Sequence, residues 1–164
     1  MIVYIKNKLV SLGGSSIVKD SEGNNVFKVK GKVKIFSPTR KKKIYDMQGN
    51  KLYVVRNKFW KFFTTKVYIY KQKQKIATLK RVFTAGKKTF ILENYSEDIT
   101  ITGTSILGEG FNILRNGEKI GNVRQEFTIV KDSYILQAVE DDIPFLVAVV
   151  IAIDNFKDSA TSIN

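Results

Sequence analysis

Ile143-Pro144-Phe145-Leu146-Val147-Ala148-Val149-Val150-Ile151-Ala152-Ile153 is the stretch on which the fold turns. A helix built from it has no polar face to offer solvent and must be buried on all sides. Pro144 is tolerated in a first helical turn, and Asp142 can serve as the N-cap. The acidic run Glu140-Asp141-Asp142 suits the positive end of a helix dipole. Crossing a bilayer takes about 20 apolar residues, far more than this run supplies. A buried parallel strand is the other rival, but parallel strands need crossover helices, and none lies upstream. The pattern therefore predicts a helix over about residues 142–156, enclosed by the rest of the chain.

The rest of the chain reads as antiparallel strands. Val29, Gly31, Val33 and Ile35 alternate with Lys28, Lys30, Lys32 and Lys34, the period of a half-buried strand. Val67 and Ile69 alternate with Lys66, Tyr68 and Tyr70, and Ile99 and Ile101 with Thr100 and Thr102. Phe127 and Ile129 alternate with Thr128 and Val130. Gly23-Asn24, Gly49-Asn50 and Asn116-Gly117 fall between such runs and tolerate the positive φ of tight hairpins. A hairpin unit recurs: Asp20-Ser21-Glu22-Gly23-Asn24 and the strand after it match Asp46-Met47-Gln48-Gly49-Asn50 and its strand. Turns at this spacing predict an all-β closed antiparallel barrel of about a dozen strands around the helix, a single domain over residues 1–164.

Composition excludes much chemistry. There is no cysteine and no histidine, which removes disulfides, thiolate metal sites, the commonest metal ligand and every triad built on an imidazole. Gly108-Glu109-Gly110 lacks the third glycine of a nucleotide loop. Ser16-Ile17-Val18-Lys19 matches Ser-x-x-Lys by letters only. Glu97-Asp98 would point to opposite faces of a strand, and Asp20-x-Glu22-Gly23 has the wrong spacing for a calcium loop. The expectation is a non-enzymatic domain with no cofactor. The N-terminal residues show no signal peptide, so a cytoplasmic location, with peripheral association at the membrane, is expected.

Charge is the one feature that points to a partner. The formal net charge is +13, and residues 28–88 hold 20 Lys and Arg against one acid, Asp46. Arg40, Lys41, Lys42 and Lys43 form a basic cluster near Ser37-Pro38. Lys71, Lys73 and Lys75 alternate around a hairpin tip, and Lys58, Lys61 and Lys66 surround an aromatic group that holds Trp60. Such a face suits anionic phospholipid headgroups, to which each base contributes about 1 kcal/mol near the surface. The alternatives are nucleic acid on the same face, or a structural or protein-interaction domain. Lysines on strand exteriors also serve solubility and block edge pairing, and aromatic clusters also pack at barrel rims.

The sequence resembles the LURP-one-related (LOR) family, which shares the tubby C-terminal-like fold. The resemblance is carried by residues 17–32, by Asp46-Met47-Gln48-Gly49-Asn50, by Lys75-Ile76-Ala77-Thr78-Leu79-Lys80, by Arg115-Asn116-Gly117-Glu118 and by the terminal Asp141-Asp142 with its apolar run to Asp154. It implies a twelve-stranded antiparallel barrel around a central hydrophobic helix. It also implies relatives of several kinds: tubby proteins that bind membrane phosphoinositides, phospholipid scramblases, and plant and bacterial members. No motif here aligns with the lipid-binding residues of tubby proteins.

Overall fold

β-branched and aromatic residues at every second position leave each strand apolar on one side, and closing the sheet on itself removes that side from water. The computed structural model describes residues 1–6, 14–34, 37–58, 66–84, 87–103, 110–127 and 132–161. Among them twelve antiparallel strands close into a barrel. These are β1 (Ile2–Lys6), β2 (Ser15–Asp20), β3 (Asn25–Lys34), β4 (Ser37–Tyr45), β5 (Lys51–Lys58) and β6 (Lys66–Lys71), followed by β7 (Gln74–Thr84), β8 (Lys87–Glu93), β9 (Ile99–Gly103), β10 (Gly110–Arg115), β11 (Glu118–Phe127) and β12 (Asp132–Ala138). Each strand pairs with its chain neighbours, and β1 pairs with β12 to complete the ring, Ile2 opposite Gln137 and Lys6 opposite Ser133. The expected alternation holds at residues 28–31, 66–70 and 99–102; the side chains of residues 32–34 and of Phe127 are outside the description, and residues 128–131, with Ile129 and Val130, lie outside the described residues, as does Ile35.

A 3-10 turn over Glu140–Asp142 leads into the one α-helix among the described residues, α1 (Ile143–Thr161). It starts where the sequence places it and continues past residue 156, because no glycine or proline follows Pro144 to stop it. Every residue from 145 to 155 is buried. About eight strands enclose little more than their own side chains, whereas twelve leave a wider lumen, and a helix with its side chains is about 10–12 Å across. The inward residues of the wall, among them Val3, Ile44, Val55, Ile69, Leu79 and Ile113, meet Leu146, Val147, Val150 and Ile153 in one continuous core. At Gly121 the wall leaves no room for a side chain. A Cβ there would lie 3.0 Å from the Gln137 carbonyl oxygen and 3.3 Å from Leu146 Cδ1, so only glycine fits without displacement.

The turns after β2, β4, β6, β8 and β10 all lie on the rim where α1 enters. The recurring hairpin unit is one loop made twice. Asp20 Oδ1 accepts the backbone N–H groups of Glu22 and Asn24 at 3.0 and 2.8 Å, and Oδ2 accepts Asn24 Nδ2 at 3.0 Å. Asp46 accepts the Asn50 backbone N–H at 2.7 Å and its Nδ2 at 2.8 Å. Gly23 and Gly49, with φ of 87° and 90°, complete the two loops in a conformation that side chains disfavour.

Two outcomes are expected. Deleting residues 142–164 uncovers the apolar inner wall and should leave an unfolded or aggregated chain by circular dichroism and size-exclusion chromatography. A folded, soluble truncation would refute the enclosure. The second concerns acid. Hydrogen bonds led by the Asn24 and Asn50 side chains hold the Asp20 and Asp46 carboxyls below their ordinary value of 3.8. A carboxyl depressed by folding contributes stability that is full above its unfolded-state value and is lost as pH falls through the folded one. Below about pH 4 the melting temperature of the parent protein should therefore fall more steeply than that of an Asp20→Asn/Asp46→Asn variant. Parallel curves would count against the loops.

Candidate anion-binding face

Strand alternation decides which bases reach the outside. In β3, Phe27 and Val29 are buried while Lys30 is exposed and Lys28 half-buried. In β4, Lys41, Lys43 and Tyr45 are half-buried on the outer side, and in β5 Arg56 is exposed. β6 adds Lys66, Tyr68 and Tyr70 to the same wall. The pairing sets like charges against each other: Lys30 lies opposite Lys43, and Lys41 opposite Arg56. Like charges directly across a ladder repel and destabilise the sheet. No Asp or Glu occurs within β3–β7. Tyrosines are interleaved instead. Lys30 Nζ sits 5.4 Å from the Tyr45 ring centroid, Arg56 pairs with Tyr68, and the Tyr68 and Tyr70 rings are 6.4 Å apart.

Lys71, Lys73 and Lys75 are exposed at the β6–β7 turn, where a hairpin tip is expected. Lys71 Nζ is 5.9 Å from the Tyr53 ring and Lys75 Nζ 5.4 Å from the Tyr68 ring. Arg40 lies in β4 and Lys58 ends β5, with side chains outside the description. Trp60 and Lys61, with the aromatic group around them, lie outside the described residues, as does most of Gly108-Glu109-Gly110.

Lys42 is a correction. It is not on the outer face: it shares the inward side of β4 with Ile44 and is only 2% exposed. Its Nζ lies 2.7 Å from Oδ2 of Asp154 on α1, and Tyr134 Oη donates to Oδ1 at 3.4 Å. Beside this pair Asn57 Nδ2 donates to the Asn155 carbonyl at 3.1 Å. A void bounded by Lys6, Lys42, Tyr134 and Asp154 has room for about one water molecule and none for a substrate. The signal for the pair was present in the sequence. Asp154 is a charge on a helix that must be wholly enclosed, so a base had to face it from the wall.

At the other end of α1 the Asp142 carboxylate receives Arg115, with Nη2 2.5 Å from Oδ1 and Nη1 3.3 Å from Oδ2. Arg115 Nε also lies 3.3 Å from Glu97 Oε2. Asp142 therefore ties the start of the helix to β10 through a side-chain pair. The hydrogen bond it donates to Asp142 pushes the Arg115 guanidinium further above its ordinary value. Tyr95 stacks on Phe145 with ring centroids 4.6 Å apart, and burial raises the Tyr95 and Tyr53 phenols. Ser16 is buried, and its hydroxyl donates to the Lys6 carbonyl at 3.0 Å, a structural bond.

These features define a class: an antiparallel barrel plugged by an apolar helix, with a cationic outer wall set with tyrosines. The chain belongs to the LURP-one-related (LOR) family, which matches residues 1–154 and so spans every strand and the helix as far as the buried Asp154. No curated protein and no solved structure matches it.

Removing one partner of a buried ion pair strands the other charge, at about 3–5 kcal/mol, whereas replacing both with apolar groups is often neutral. Denaturant unfolding of Asp154→Ala should show a loss of that size. Lys42→Met/Asp154→Leu should recover most of it. A double variant as unstable as the single would mean that the pair does more than satisfy two buried charges.

Proposed function

We propose that this protein is a non-enzymatic binding domain that engages anionic phospholipid surfaces through the outer wall of β3–β7. The observation that carries the reading is the register that sets like charges opposite each other across the ladder, Lys30 opposite Lys43 and Lys41 opposite Arg56, on strands without a single acid. Lysines often guard exposed sheet edges, but a closed barrel has no edge to guard. Solubility does not require bases to be set directly against bases either. An anionic partner relieves the repulsion and gives the arrangement a use.

Tyrosines between the bases support a bilayer interface, where amphipathic rings are favoured. The resemblance to tubby C-terminal-like proteins, some of which act on phospholipid membranes, supports lipid over nucleic acid. The lack of histidine and cysteine, and an interior filled by α1, support a role without catalysis. Among the described residues no helix is long and apolar enough to cross a membrane, and contact through the outer wall is a peripheral mode, suited to the cytoplasmic leaflet.

Co-sedimentation with neutral and anionic vesicles, at low and at physiological salt, tests the reading. Binding should require anionic lipid and persist at physiological salt. Lys30→Gln/Lys43→Gln/Arg56→Gln should weaken it by about 3 kcal/mol, on the order of 100-fold, at about 1 kcal/mol per base. No binding to anionic vesicles would refute the proposal. Salt-sensitive binding to RNA or DNA in its place would reassign the same wall to nucleic acid.

A further inference from the structure

Seven described residues have positive φ, and five are of the kinds expected there: Gly23, Gly49, Gly117, Asn94 and Asn116. The other two are consecutive, Gln72 at 48° and Lys73 at 70°, and they form the turn between β6 and β7. Two left-handed residues in a row make the hairpin turn that most favours Asn-Gly. The same fold uses Asn116-Gly117 for that turn between β10 and β11. At β6–β7 it keeps two longer side chains in a conformation that L-residues disfavour.

What the substitution retains is a charged side chain at the apex. Residues 71–75 are all exposed, and Lys51 is exposed at the start of neighbouring β5. Lys71 and Lys75 lean on the Tyr53 and Tyr68 rings, and Lys73 stands between them at the tip. The other hairpin turns on this rim carry acids at or beside them: Asp20 and Glu22, Asp46, Glu97 and Asp98, and Glu118. The β6–β7 turn carries none.

We propose that the β6–β7 tip, through Lys71, Lys73 and Lys75, is the anchoring contact of the basic wall with an anionic lipid surface. The proposal rests on the functional reading above. It fixes an approach in which the β3–β7 side meets the bilayer. The helix entry, with Glu140, Asp141 and Asp142, shares the rim with this tip but follows β12, six strands round the ring from β6, and Asp142 is held there by Arg115 of β10.

The test uses the full chain and vesicles of phosphatidylcholine with phosphatidylserine at physiological salt, with thermal melting of each variant. Gln72→Gly relaxes the turn without altering charge, so it should raise the melting temperature and leave the partition constant unchanged. Lys73→Asn suits the turn but removes the apical charge, and should lower the partition constant about fivefold without loss of melting temperature. Lys71→Gln/Lys73→Asn/Lys75→Gln should lower it on the order of 100-fold. If these tip variants bind like the parent while Lys30→Gln/Lys43→Gln/Arg56→Gln does not bind, the tip is not the anchor and the wall alone carries the function. If the parent itself does not bind, the functional reading falls and this inference with it.

Discussion

The rest of the structure depends on one constraint: α1 is apolar on every side and cannot meet water on any of them. A sheet packed on one face would leave the other exposed, and the described residues hold no second α-helix to cover it. A ring of twelve strands, apolar on its inner side apart from polar groups such as Lys42 and Asn57, encloses its apolar run. The dependence is mutual, because the wall without α1 would surround an apolar void. Charges at both ends of the apolar run then set where the helix sits. Asp142 is held by Arg115 at its start, and Asp154 by Lys42 deep in the far half. Paired charges of this kind contribute little net stability over apolar contacts, but they disfavour other placements of α1 along the barrel axis.

Filling the lumen with protein has a consequence for function. The interior is taken up by α1, and the gap beside Lys42 and Asp154 holds about one water. Recognition is left to the outside, and there the charge is uneven. β3–β7 present bases with interleaved tyrosines, while most turns on the rim of helix entry carry acids. A closed ring of this kind shows different chemistry to different sides without altering its core, because inward and outward residues alternate along the same strands.

Much of this was legible in the chain. The all-round apolar run required enclosure, the period-2 stretches supplied the wall, and the repeated Asp-x-x-Gly-Asn loops marked two of its hairpins. The candidate face was legible only in part. Lys41, Lys42 and Lys43 look alike as neighbours in a basic cluster, and nothing local says which of them turns inward. The phase of β4 is set by Ile44 packing against the core and by pairing with β3 and β5, so Lys42 faces Asp154 and its neighbours face solvent. The pairing of Lys30 with Lys43 likewise joins residues 13 positions apart through a register that bulges adjust.

The sequence by itself determined the fold class, the helix, the family and a strongly basic half, because periodicity, turn chemistry and net charge are local or additive properties. Only the tertiary structure decided which bases share a surface, which one is buried as the partner of α1, and which turn holds lysine where glycine would sit more easily. Those outcomes depend on strand register and on the closure of the ring, and both are set by contacts between residues far apart in the chain.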